Sequence, residues 1–96
     1  MEGERGAVRI RVAGRVQKVG FRAWTRGKAV ALGLSGSVAN EPDGTVSILL
    51  AGEVASIDRM IDALWGGPDA AAVTDVAVEP APLESHELPS GFTIEG

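Results

Sequence analysis

The 96-residue sequence has no cysteine and no tyrosine, a single histidine, and aromatic residues at only 4%. Without cysteine there is no disulfide, no thiolate nucleophile and no thiolate metal site, which removes the cysteine-dependent phosphatase chemistries. His86 alone cannot form a histidine-pair metal site, and a lone histidine in a proline-bearing loop reads as solvated. Ser35, Ser37, Ser47 and Ser56 have no histidine or lysine at triad-like spacing, so a serine nucleophile is not expected. No apolar run approaches the roughly 20 residues of a membrane span. The opening MEGERGAVRI lacks the apolar centre of a secretory signal. A cytoplasmic chain without membrane association is expected.

What is present reads as one domain over residues 1–96, with 1–6 flexible, since domains usually run to about 100–200 residues. A chain this short buries roughly 60 to 65% of its unfolded surface, so its machinery must be small. The net charge of −4 conceals an asymmetry. Residues 1–28 hold eight basic and two acidic residues, a net +6, whereas the remainder holds one basic and eleven acidic residues, a net −10. Such a split means either a nucleic-acid arm or a local anion site on an acidic body. The pI of about 4.8 and the few aromatics favour the second, with no nucleic-acid partner. Arg9 and Arg11 read as solvating a strand face.

Val8, Ile10 and Val12 alternate with Arg9 and Arg11, the period of a strand with one buried face, over about Ala7 to Ala13. Phe21, Thr25, Ala29 and Leu32 then share one helical arc ending near Gly33, with Trp24 off the arc and Lys28 on its rim. Ser37–Glu41 and Thr45–Ala51 flank the Pro42-Asp43-Gly44 turn and predict a hairpin, with Asp43 serving the turn and Gly52 closing the strand. Val54, Ile57, Ile61 and Leu64 mark a second helix stopped by Gly66-Gly67-Pro68. Val73–Glu79 alternates again, the stretch from Pro80 to Pro89 reads as surface loop, and a short strand surrounds Phe92 and Ile94. The order β-α-β-β-α-β plus an edge piece predicts an α+β, ferredoxin-like sandwich: four main antiparallel strands, a C-terminal edge strand, and two helices on one face.

Chemistry concentrates between Gly14 and Arg22. A strand, a glycine-bracketed loop and a helix starting at about Phe21 aim several unpaired backbone N–H groups at one point, and the helix dipole adds positive charge there. Arg22 can fold its guanidinium fork over the same point and grip two phosphoryl oxygens. The loop matches neither a Walker A cradle nor a G-x-G-x-x-G turn. On these signals alone, a plain connecting turn with a solvated Arg22 stays open.

The stretch Val12-Ala13-Gly14-Arg15-Val16-Gln17-Lys18-Val19-Gly20-Phe21-Arg22 closely resembles the acylphosphatase signature, departing from it at Lys18, where the family carries glycine or histidine. Gly36-Ser37-Val38-Ala39-Asn40-Glu41-Pro42-Asp43-Gly44-Thr45-Val46, with Gly52, is similar to the family's second motif, with Ser37 in place of an aromatic. Leu64-Trp65-Gly66-Gly67-Pro68 and Gly91-Phe92-Thr93-Ile94 extend the resemblance, which covers residues 8–95. It implies hydrolysis of an acyl phosphate to carboxylate and inorganic phosphate, the phosphate also competing with substrate. Arg22 would bind the phosphoryl group, the amides of Arg15, Val16, Gln17, Lys18, Val19 and Gly20 would cradle it, and Asn40 would orient the attacking water. No metal or other cofactor is implied, and a monomer is expected. Without the resemblance, Asn40 reads as an amide satisfying the hairpin backbone.

Two other classes compete. One is a non-catalytic module of the same fold that binds phosphate or acyl phosphate, its turnover lost through Lys18 or Ser37. The other is an RNA-binding domain, which wants aromatics on a central strand where Val8, Ile10, Val12, Val46, Ile48 and Leu50 supply none. At Lys18 the family's tolerance of histidine leads to the expectation of a negative φ.

Overall fold

The computed structural model describes residues 3–82 and 89–96; His86 and most of the stretch from Pro80 to Pro89 lie outside the described residues. Five strands and two helices follow in the order β1 (Arg5–Arg15), α1 (Phe21–Ala31), β2 (Ser35–Asn40), β3 (Val46–Glu53), α2 (Val54–Gly66), β4 (Ala72–Pro80) and β5 (Phe92–Glu95). The strands form one sheet in the order β4-β1-β3-β2-β5. The first four pair antiparallel, as the alternation predicts, but β5 runs parallel to β2, which makes the sheet mixed.

Both helices pack on the face of the sheet to which Ile10, Val12, Val38, Val46, Ile48 and Leu50 point, and these six are buried. From α1 they meet Phe21, Thr25 and Ala29, and from α2 Ile57, Met60 and Leu64. Met60 completes an arc that Val54 and Ile61, both half-buried, only flank. Trp24 packs partly against this core, its ring tilted on Phe21 at a centroid distance of 5.6 Å. No helix among the described residues is long and apolar enough to cross a membrane.

Tertiary pairing lengthens the strands beyond their sequence patterns. β1 starts inside the stretch expected to be flexible, because Arg5 and Gly6 pair with Glu53 and Gly52. Gly52 accordingly lies within β3 rather than closing it. At the other end β4 reaches Pro80, opposite Val8, and the Ala81 amide bonds to the Ala7 carbonyl at 3.1 Å, so Pro80 and Ala81 belong to the sheet edge rather than to a surface loop. Pro80 is tolerated on this outer strand, where no ladder partner needs its missing N–H.

Gly14 sets how the chain leaves the sheet. The β1–β4 register shifts between Ala13 and Gly14, and Gly14 has φ +119°. A Cβ there would press on the Ala72 carbonyl oxygen and lie 2.8 Å from the Thr74 nitrogen, so only glycine fits this bulge. At the hairpin, Asp43 closes the turn as expected: its Oδ1 accepts the Thr45 amide at 3.0 Å and the Thr45 hydroxyl at 2.6 Å. Its other oxygen meets Arg11 at 2.9 Å. Arg11 therefore does more than solvate the strand, although a pair this exposed adds little stability.

The Thr45 hydroxyl, then the Thr45 amide and then Arg11, hold the Asp43 carboxyl below the usual aspartate value of 3.8. A lowered folded-state pKa stabilises the turn above the unfolded value and is lost as pH falls through the lowered one. An NMR titration of the Asp43 carboxyl carbon is expected to show a midpoint below 3.8, moving upward in Thr45→Val. A midpoint at or above that of free aspartate would contradict this geometry.

Candidate active site

The loop 16–20 is anchored by apolar side chains so that its backbone stays free. Val16 and Phe21 are each 1% exposed, and Val19 packs partly on the core between them. Gly20, at φ +77°, is the left-handed N-cap of α1, an entry that glycine makes without steric cost. No side chain caps this helix and no acidic residue stands in its first turn. Among the described residues, none of the backbone amides from Val16 to Ala23 donates to a protein acceptor. Orphan donors beside the positive end of a helix dipole are an arrangement suited to an anion.

Lys18 corrects the expectation of negative φ: it has φ +63° and is the sole non-glycine residue with positive φ among those described. Its side chain is exposed, so there is room for it while the backbone carries the strain. The left-handed conformation costs an L-residue about 1–2 kcal/mol. A histidine is accommodated in such a place for the same reason, which is why tolerance of a side chain says nothing about φ.

Arg22 is half-buried at the second position of α1 and makes no hydrogen bond or ion pair within the described residues. Asn40, the last residue of β2, shares a cleft of about 220 Å³ with it. Val16, Lys18, Gly20, Phe21, Ala23 and Ile94 complete the lining. The Asn40 Oδ1 atom is buried and has no donor among the described residues. Leaving a buried acceptor unsatisfied costs about 1–3 kcal/mol, so this oxygen is set to accept a hydrogen bond from whatever donor enters the cleft.

The hairpin carbonyls are served by a different amide. Gln17 Nε2 donates to the Glu41 carbonyl at 2.8 Å and to the Thr45 carbonyl at 2.9 Å. The reading of Asn40 as the residue that satisfies the hairpin thus passes to Gln17, and Gln17 ties loop and hairpin together rather than facing the cleft. The side chains of Arg15, Gln17 and Val19 do not line the cleft, so of these three only the backbone amides are offered as cradle. Phe21, Ala23 and Ile94 were not foreseen as lining; the first two flank Arg22 in the opening turn, but only the parallel pairing of β5 brings Ile94 there. A larger depression, about 430 Å³, lies on the opposite face of the sheet and holds neither Arg22 nor Asn40. Its Arg11, Glu41 and Ser47 are occupied by internal bonds to Asp43 and to each other.

The family model for acylphosphatase matches residues 8–94. The chain belongs to the acylphosphatase family. It is 50% identical over 94 residues to an acylphosphatase of Rhizobium meliloti (strain 1021), covering 98% of this chain and 97% of that one. Among solved structures, an acylphosphatase from Coxiella burnetii superimposes with a TM-score of 0.88 at 36% identity, covering 95% of this chain and 93% of that one. The acylphosphatase from Bacillus subtilis gives the same TM-score of 0.88 at 34% identity, over 97% of this chain and all of that one.

Two tests follow from the geometry of this acylphosphatase-family loop. Lys18→Gly should relieve about 1–2 kcal/mol of left-handed strain, against about 0.5–1 kcal/mol for the greater freedom of glycine when unfolded. Urea denaturation should therefore show a net gain of up to about 1.5 kcal/mol, and a loss would contradict the strain. Gln17→Ala removes two hydrogen bonds worth about 0.5–1.5 kcal/mol each, while the Glu41 and Thr45 carbonyls keep the backbone donors Gly44 and Glu41. Hydrogen exchange of the Glu41 amide, which closes the turn on the Thr45 carbonyl at 2.9 Å, should quicken in the same variant; unchanged exchange would mean that the tie is not formed.

Proposed function

We propose that this chain hydrolyses acyl phosphates to a carboxylate and inorganic phosphate, and that Arg22, Asn40 and the loop amides carry the reaction. The phosphoryl oxygens take the unpaired amides of the loop and of the first turn of α1, and the Arg22 fork closes over two of them. Water attacks phosphorus, the bond from phosphorus to the anhydride oxygen breaks, and its electron pair leaves on the carboxylate. The protons of the water pass to the phosphate oxygens. Phosphoryl transfer of this kind demands positioning and charge stabilisation more than a strong base, which suits a cleft whose lining among the described residues includes no histidine.

The observation that carries this reading is the buried, unpartnered Oδ1 of Asn40 in the same cleft as Arg22. An amide oxygen without a donor among the described residues holds a water by accepting a hydrogen bond from one of its O–H groups, which turns an oxygen lone pair toward the phosphoryl group. All the groups come from one chain, so a monomer suffices. Arg22 and the amides supply the positive charge that a metal ion would otherwise bring.

The test is release of phosphate from benzoyl phosphate or acetyl phosphate by the purified protein, with and without excess chelator. Turnover that survives the chelator, with inorganic phosphate competing, is expected; phosphate binding without turnover would make this a binding module. Arg22→Ala should nearly abolish both phosphate binding and turnover, and Arg22→Lys should rescue little, since a point charge does not reproduce the fork. Asn40→Ala should lower kcat by about a hundredfold or more while phosphate inhibition changes little. Loss of phosphate inhibition and turnover together in Asn40→Ala would refute the water-orienting role.

A further inference from the structure

The cleft has a polar side and an apolar side, and only one apolar residue in it has substantial surface to offer. The cleft, about 220 Å³, has room for more than a phosphoryl group and one water. Val16 and Phe21 are each 1% exposed, so their surfaces are already spent on the core. Ala23 is exposed but small. Ile94 is 44% exposed. A single exposed isoleucine needs no explanation on a surface; this one lines the same cleft as Arg22 and Asn40.

Its position follows from the sheet. In the parallel β2–β5 pair Ile94 stands beside Val38, whose side chain is fully buried under the helices, so Ile94 also projects to the helix face. The parallel direction carries β5 toward the end of β2 at which Asn40 sits. Three bonds hold it there: Arg26 Nε to the Phe92 carbonyl at 3.1 Å, the Gly36 amide to the Gly91 carbonyl at 2.8 Å, and the Asn40 amide to the Gly96 carbonyl at 3.4 Å. The edge strand is therefore fastened to α1, which carries Arg22, and to β2, which carries Asn40.

Resting on the hydrolytic reading above, we propose that Ile94 is the acyl-contact residue. The phosphoryl group is held by the amides and Arg22, and the acyl body of the substrate packs on the Ile94 side chain. Acyl phosphates with an aromatic or branched apolar body are then preferred over acetyl phosphate, whose methyl group offers little to pack. Because the contact is made on a partly solvated wall, the discrimination is modest.

Benzoyl phosphate and acetyl phosphate are to be compared in the full chain and in Ile94→Val, Ile94→Ala and Ile94→Ser. kcat/KM for benzoyl phosphate should fall by about three- to tenfold from isoleucine to serine, with valine between, while acetyl phosphate stays within about twofold. Phenylphosphonate, a phosphoryl headgroup on an apolar ring with no anhydride to break, should lose affinity in the same order, and inorganic phosphate should not. That second readout stands even for a variant of low turnover. Equal loss on both substrates, or no loss on either, would overturn the assignment. Failure of the unsubstituted chain to hydrolyse either compound would instead overturn the hydrolytic reading.

Discussion

The two segments that make the site are far apart in the chain, and one side-chain amide spans the gap. Gln17, in the loop, reaches carbonyls 24 and 28 residues further on, and those carbonyls belong to the turn that follows Asn40 directly. Each bond contributes only about 0.5–1.5 kcal/mol, so the tie matters less for stability than for geometry. A reacting constellation has to be held to within about 0.5 Å. The amides that would hold a phosphoryl group and the oxygen that would hold a water sit on separate elements. Their relative placement depends on this tie, with the Asn40 amide pinned from the other side by the Gly96 carbonyl.

The order of elements was legible because each buried face repeats with its own period: two for Val8, Ile10 and Val12, and near 3.6 for Phe21, Thr25 and Ala29. Ends were not legible where neighbours decide them. Arg5 and Gly6 carry no strand pattern and are drawn into β1 because Glu53 and Gly52 lie opposite. Pro80 looked like a breaker, but on an outer strand its missing donor costs nothing. The direction of β5 leaves no mark in four residues; it comes from the return of the chain to the free edge of β2, and with it comes the placement of Ile94.

At the candidate site, the excess of unpaired loop amides was legible, since a strand, an uncapped turn and a helix start leave donors over. The division of labour between the two side-chain amides was not. Gln17 and Asn40 have the same functional group, and nothing in the sequence says which one bonds to the hairpin backbone. Lys18 shows a different limit. Room for a side chain and the sign of φ are independent properties, because a left-handed residue at the surface can send its side chain into solvent while its backbone remains strained.

Charge explains how an acidic protein keeps an anion site. Of the basic residues in 1–28, Arg11 is paired with Asp43, Arg26 is bonded to a backbone carbonyl, and Lys28 lies 6.0 Å from the Trp24 ring. Lys18 and Arg22 line the cleft, beside unpaired amides. Screening at physiological salt acts over about 8 Å. A small dianion in the cleft therefore feels mainly these neighbours, whereas a polyanion also feels the net −10 of the sequence beyond position 28. The same charge pattern thus favours a small anion over an extended polyanion at this cleft.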